Sequence, residues 1–423
     1  MSMASKNKDK NIPIKHFGPG LITGAADDDP SGIATYSQAG AQFGFNMLWT
    51  VVLTFPFMVG IQTVSARMGR VTGKGLAANI REVFPRSVLL FIVGLLVVAN
   101  TINIAADIAA MGAALKLLVG GTEHFHAIVF GFICLVLQIF MPYQSYVRFL
   151  KWLTLALLAY VAVIFTVEVP WSQVLFRTLV PSFALDGTSM MMIVAVFGTT
   201  ISPYLFFWQA TQEAQDVRAD PNAEALLRSP DQAREHLRRI KWDTYIGMGF
   251  SNLIAFFIIL STAVTLHAGG ITQIQTAAQA AEALRPIAGD LTFVLFALGI
   301  IGTGMLAVPI LAGSAAYAVA ETFDWQTGLD RKLFEAKEFY AIITVATAGG
   351  VLLDFTPIDP IKALFWSAVI NGFIAVPIMV IMMLLAQRTE TMGQFVITRR
   401  LQILGWLATG AMCVAVIAML ATM

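Results

Sequence analysis

Between positions 88 and 117 the chain carries only two charged residues, Asp107 and Lys116. A bilayer core is crossed by roughly 20 mainly apolar residues in helical form. Runs of this kind recur near 18–42, 45–69, 88–117, 126–142, 146–168, 189–212, 243–267, 291–320, 338–353, 362–386 and 401–422. They predict an all-α membrane protein with about eleven transmembrane helices. The composition agrees: 13% of the residues are charged and 57% hydrophobic, where a soluble domain carries about 25% charged residues.

Several classes of function are excluded early. The two cysteines, Cys134 and Cys413, both sit in apolar runs, which gives neither a disulfide framework nor a zinc knuckle. A net charge of +1 does not suit a nucleic-acid binder. Residues 1–17 hold Lys6, Lys8, Lys10 and Lys15 but no apolar core, so they read as a cytoplasmic tail and not as a cleavable signal peptide. The five histidines have no partners at ligand spacing. No G-x-S-x-G, G-x-x-x-x-G-K-[ST] or H-E-x-x-H motif is present. Neither an enzyme, an ATP-driven pump nor a resident cofactor is expected.

Lys and Arg collect on the cytoplasmic side of short loops. With the N-terminus inside, 23 of the 27 fall on inner segments, and only Lys116, Arg177, Arg285 and Lys362 fall outside. This asymmetry supports the division into spans and places the C-terminus outside. The longest polar stretch, about 213–241, mixes both signs of charge and reads as a cytoplasmic helical linker with a solvated face.

Two spans are interrupted. Span one carries Asp29-Pro30-Ser31-Gly32 near its middle, and span six carries Gly198-Thr199-Thr200-Ile201-Ser202-Pro203-Tyr204. Proline removes a helical hydrogen bond and disfavours helix at the residue before it. Span six also begins a second set of five spans. Interrupted helices at matching positions of two halves point to an inverted-repeat transporter with its site at the midplane.

Asp27, Asp28 and Asp29 are consecutive. An ionised carboxylate inside a bilayer costs several kcal/mol and usually faces a cavity with a function. Neighbouring residues on a helix differ by about 100°, so the three do not share a direction. Asp29 stands at the break, where unwound carbonyls are also free, and carboxylate plus carbonyl oxygens form a hard-cation site. Asp27 and Asp28 line the approach, hold water around an ion, or bond within the bundle. On span three, Asn100, Asn103 and Asp107 share one helix face. No Lys or Arg is placed mid-span, so the membrane interior is acidic, which suits a cation. Asn371 is a further mid-membrane amide, read as an interhelical bond or a contact on the path.

At these residues the sequence resembles the NRAMP family of divalent-metal transporters. The matching stretches are Gly18-Pro19-Gly20, DPSGIATYSQAGAQFGFNMLW from Asp29, IQTVSARMGRVTGKGLA from Ile61, and Asp107 with Met111-Gly112. The resemblance implies a LeuT-type five-plus-five fold of the APC superfamily, with helices 1 and 6 broken. It carries the family's metal-binding Asp onto Asp29. Its D-P-G-N asparagine falls on Gly32. Its M-P-H in span six falls on Ser202-Pro203-Tyr204, and the acidic residue three positions after the span-three Asp falls on Ala110.

These departures act together. A thioether favours soft metals over hard ones; without it, and without the amide, oxygen groups remain around a wider site. Mg²⁺ loses water reluctantly and is usually bound with several waters kept. The pattern resembles the NRAMP-related magnesium transporters. The expected function is therefore secondary transport of Mg²⁺, and of Mn²⁺ besides, without strict proton coupling. Asp29 is the main ligand or water acceptor, with Asp28, Ser31, Gly32, Thr199 and Ser202 shaping the site. Asp27, Asn100, Asn103, Asp107, Tyr204 and Asn371 line the path or the surrounding shell. The alternatives are a proton-coupled Mn²⁺/Fe²⁺ transporter, an amino-acid or amine symporter of the same fold, and a metal sensor that does not transport. The expected organisation is a first repeat over 18–168, a second over 189–386 and an additional helix over 401–422. The expected setting is a bacterial inner membrane, with the lipid bilayer and the metal cation as partners, a monomeric state and no nucleic acid.

Overall fold

The computed structural model describes residues 19–141, 153–329 and 331–423, which form helices and turns with no strand. The N-terminal tail and residues 146–152 of span five lie outside the described residues. We label the principal helices α1 (Pro19–Asp27), α2 (Pro30–Phe43), α3 (Leu48–Thr72), α4 (Arg86–Val119), α5 (Glu123–Phe140) and α6 (Gly187–Thr200). They continue with α7 (Pro203–Ala219), α8 (Ala233–Thr262), α9 (Thr292–Phe323), α10 (Lys337–Leu353), α11 (Pro360–Ala386) and α12 (Arg399–Thr422).

Both expected breaks are present and use the same device. Pro30 and Pro203 open α2 and α7, a position where the missing N–H would have no helical partner anyway. The residues before them, Asp29 (φ −69°, ψ 170°) and Ser202 (φ −78°, ψ 129°), are extended, as the proline ring demands of its predecessor.

Among the described residues eight segments are long and apolar enough to cross a membrane, where the sequence suggested eleven. The difference lies in how spans are divided. Pro30–Thr72 is one continuous stretch, because a short 3-10 turn at Gly44–Met47 joins α2 to α3. Helix α10 has 17 residues, and span five is only partly described.

The expected linker at 213–241 is corrected. Its ends belong to α7 and α8, and its middle is a set of turns between Asp220-Pro221 and Ser229-Pro230, where the residue before each proline resists helix. Nor is its charge all solvated. Glu213 is fully buried and pairs with Arg239, which also lies 3.6 Å from Asp216.

Helix α1 is seated on α8. The Asp243 carboxylate accepts the backbone N–H groups of Gly20 (2.7 Å) and Leu21 (3.2 Å). An anion there answers both the unpaired donors and the positive end of the helix dipole. Gly24 rests directly on Gly247, leaving no room for a Cβ. Gly24→Leu should therefore unseat α1. Overpacking of this kind costs about 1–3 kcal/mol, so the thermal midpoint in detergent should fall. A half-buried reporter at Ala25→Cys should also react faster with a water-soluble maleimide. Unchanged labelling would mean that α1 is held elsewhere.

The scaffold behind the breaks is the α4–α9 pair. Asn100 Nδ2 donates to Leu311 O and Ser314 Oγ, both at 2.8 Å. This makes Asn100 an interhelical tie.

Candidate metal site

Asp29 is the cap of α2. Its Oδ1 accepts the Gly32 N–H at 2.7 Å, the arrangement that satisfies one unpaired donor of a helix start. Its other oxygen receives the Tyr204 hydroxyl at 3.3 Å, and that hydroxyl is shared with Ala26 O at 2.9 Å. Tyr204, from the first turn of α7, thus spans the break between α1 and α2. Asp29 and Tyr204 are both buried.

Asp27 and Asp28 turn to α8. Ser251 Oγ lies 2.7 Å from Asp27 Oδ2 and 3.0 Å from Asp28 Oδ1. One hydroxyl hydrogen serves two carboxylates, and Asp27 Oδ1 has no partner. Asp27 and Asp28 thus meet at one hydroxyl, against the expectation that successive aspartates point apart, because α1 ends at Asp27 and the helical rotation stops there. Asp29 alone turns to Gly32 and Tyr204. The described residues contain no group of three or more His, Cys, Asp or Glu set to hold a metal ion. A cation at the break would draw on one carboxylate together with backbone and hydroxyl oxygens and its own water.

The other break supplies those hydroxyls. Ser202 Oγ donates back to its own chain, 2.8 Å from Thr199 O and 3.0 Å from Gly198 O. Thr200 Oγ1 meets the Tyr36 hydroxyl at 3.0 Å, which ties α6 to α2. Gly32 lies at the seam. A Cβ there would stand 3.2 Å from Thr199 Oγ1, 3.3 Å from Asp27 O and 3.4 Å from Tyr36 Cε2. The space expected from replacing an amide by glycine is therefore filled by Thr199, the Asp27 carbonyl and Tyr36.

Ser31 faces elsewhere: its hydroxyl lies 2.9 Å from Leu364 O and 3.0 Å from Ser367 Oγ, on α11. Asn371, also on α11, is buried beside Gly372, where α11 packs on Gly198 of α6. On α4, Asp107 is within electrostatic range of Asp29 and of the Ser31 N–H, yet neither of its oxygens makes a hydrogen bond. Both side-chain polar atoms of Asn103 are likewise unpartnered. Buried polar groups normally find partners, and these two side chains of the α4 stripe find none within hydrogen-bond distance in the protein. The ion pairs among the described residues involve none of Asp27, Asp28, Asp29 or Asp107.

A cavity of about 220 Å³ opens between α2, the start of α6, residues 273–275 and the start of α11. It reaches Ala34, one turn from the break, and is lined in part by Gln38, Gln42 and Gln273. Gln38 Oε1 accepts the Ile274 N–H at 2.9 Å, pinning that loop to α2. Asp29 is not among the residues lining the cavity. Sequence reasoning missed Ser251, Asp243 and Tyr36. Tyr36 lies two turns from the aspartates on α2, and Ser251 is a hydroxyl in an apolar run; neither signal says which helix it meets.

The Nramp family profile, described as "Natural resistance-associated macrophage protein-like", matches residues 20–422. A divalent metal cation transporter MntH of Klebsiella pneumoniae (strain 342) is 26% identical over 415 residues, covering 95% of this chain and 93% of that protein. The MntH of Yersinia pestis (strain Pestoides F) is 28% identical over 411 residues, covering 94% and 92%. Among solved structures, the Eremococcus coleocola manganese transporter, in complex with an aromatic bis-isothiourea substituted compound, superposes with a TM-score of 0.74 at 17% identity. That match covers 100% of this chain and 90% of that one. Mhp1, a nucleobase-cation-symport-1 family transporter, superposes at 0.56 with 15% identity, over 96% and 92%. At such identities the structural likeness speaks for the fold, a broken-helix transporter fold of the five-plus-five type.

Proposed function

This chain belongs to the Nramp family and is a membrane transporter of divalent metal cations; within that family we propose that it carries Mg²⁺, and Mn²⁺ besides, without proton coupling. It is not an enzyme, and the metal is cargo and not a cofactor.

The observation that carries the proposal is the chemistry of the second break. Ser202 and Tyr204 stand where the resemblance places a thioether and an imidazole. Tyr204 spends its hydroxyl on Asp29 and Ala26 O. Without sulfur the site offers only oxygen, which favours hard ions such as Mg²⁺. Histidine is the side chain whose charge ordinarily changes near neutral pH; a phenol in its place gives no such relay. Asp29, with Thr199, Ser202 and backbone carbonyls at both breaks, would hold the ion with part of its water. Asp28 and Asp27 would hold water through the Ser251 side, and Gly32 and Ser31 would set the spacing of α2 against α6 and α11.

Transport follows from the seams. Rocking of α1, α2, α6 and α7 against the α4–α9 scaffold would expose the breaks alternately. The cavity at Gln38 serves one face and the seated α1 closes the other. We read 18–168 and 189–386 as the two repeats, 401–422 as an added span, and 1–17 as a cytoplasmic tail. In this reading the N-terminus is inside, the C-terminus outside, and the monomer works in a bacterial inner membrane.

One observation favours a second reading, proton-coupled Mn²⁺ transport: Asp107 is buried with both oxygens unpartnered and is the remaining acid on the α4 stripe. Liposomes loaded with a pH dye decide between the two. At clamped membrane potential, metal influx should leave the lumen pH unchanged. A metal-dependent acid signal would overturn the uncoupled reading and point to Asp107.

A further inference from the structure

Beside the ion path lies a group of soft atoms that hard-cation transport leaves unused. Cys134 of α5 is a free, fully buried thiol, and its Sγ–H donates to Met305 Sδ of α9 at 3.6 Å. Two seams bring the helices of this pair to the stretch of α4 that carries Asp107. On one side, Gly131 of α5 lies against Ile108. On the other, Gly304 of α9 lies against Met111 Sδ, and a Cβ at Gly304 would stand 3.3 Å from Pro30 at the break. Asp107 precedes Ile108 and lies one turn before Met111 on α4, between these two contact points along the helix, and its two buried oxygens have no hydrogen-bond partner.

We propose that Cys134, Met305 and Asp107 form a binding site for a thiophilic divalent cation, separate from the Asp29 site, and that its occupation blocks transport. The spacing fits. Two sulfurs each about 2.3 Å from a tetrahedral ion stand about 3.8 Å apart, so Cys134 and Met305 need open only slightly. The ion takes the place of the thiol proton: an S–M bond forms, the S–H bond breaks, and the proton leaves to water. Thiolate and carboxylate together neutralise a dication, which a buried site requires. The set selects by softness: Cd²⁺ gains from thiolate and thioether, and Mg²⁺ gains from neither. Because Asp107 and Pro30 border the path, an ion held here removes the α4 carboxylate from the path and pins α9 against α2.

The test uses the whole protein and Cd²⁺ as the probe. Purified wild type should bind Cd²⁺ with the ultraviolet charge-transfer absorption of a cadmium thiolate, and Cd²⁺ should inhibit metal uptake into proteoliposomes. Cys134→Ser should lose the absorption and need about tenfold more Cd²⁺ for half inhibition or beyond. Cys413→Ser should behave as wild type, because Cys413 lies apart on α12. Met305→Leu should keep the absorption but weaken binding about tenfold. A wild type without the absorption, a Cys134→Ser that keeps it, or a Met305→Leu of unchanged affinity would overturn the proposal. The absorption and binding readouts hold whichever ion is carried, so their failure is distinct from failure of the Mg²⁺ reading.

Discussion

Proteoliposomes containing Asp29→Ala should take up Mg²⁺ and Mn²⁺ at the rate of protein-free vesicles, a loss of about 100-fold or more. Losing an outer-shell partner of a metal already costs about 10–100-fold, and the proposed role of Asp29, as ligand or as acceptor of the ion's water, calls for at least that. The substitution has a second effect, because Asp29 also caps α2 through Gly32 N–H. Removing a cap costs about 1 kcal/mol of stability. Asp29→Asn separates the two roles, since it keeps an oxygen for the cap and removes the charge. It should be nearly as inactive as Asp29→Ala while melting close to wild type. If Asp29→Asn transports normally, the carboxylate is a structural cap and the ion lies elsewhere.

Ser202→Met should move selectivity toward soft ions. A thioether at the second break adds a ligand that Cd²⁺ values and Mg²⁺ does not. The variant is best made with Cys134→Ser, so that the Cys134–Met305 pair does not compete for the probe. The concentration of Cd²⁺ that half-inhibits Mn²⁺ uptake should fall about tenfold, equivalent to about 1.4 kcal/mol of added affinity, and Mg²⁺ uptake should fall as the longer side chain displaces water. Equal loss of every flux would mean that the new side chain merely fills space and that position 202 does not face the ion. Gly32→Asn, which restores the amide of the family pattern, is a different case. The seam at Gly32 is already occupied by Thr199, the Asp27 carbonyl and Tyr36, so this change should impair folding or transport of every ion.

Much of the fold was legible because lipid leaves few options. Long apolar runs announce helices, and Pro30 and Pro203 mark the two breaks together with the Gly and polar residues around them, whereas Pro56, Pro309 and Pro377 lie inside unbroken helices. Asp29 was legible for the same reason, a charge next to a proline inside a span. What was not legible depends on partners far away in the chain. Ser31 bonds to Leu364, 333 positions on, and Asp27 bonds to Ser251, 224 positions on. A helical period says which residues share a face; it does not say which helix that face meets. The seam at Gly32 was misjudged on the same ground, since glycine implies room only when the neighbours leave it. Spans one and two were set apart at residues 42–45, and the chain does turn there: Gly44 (φ 56°) ends α2 and a 3-10 turn leads into α3. The buried Glu213–Arg239 pair was hidden inside what reads as a solvated charge run.

In the proposed mechanism a site of oxygen groups at the two breaks carries a hard, partly hydrated ion. Uptake of Mg²⁺ by the purified wild type in proteoliposomes, at several pH values and with Mn²⁺ as competitor, tests this. Saturable Mg²⁺ uptake, competed by Mn²⁺ and little changed by a pH gradient, is the predicted result. Mn²⁺ uptake driven by an inward proton gradient, with Mg²⁺ neither carried nor competing, would contradict it.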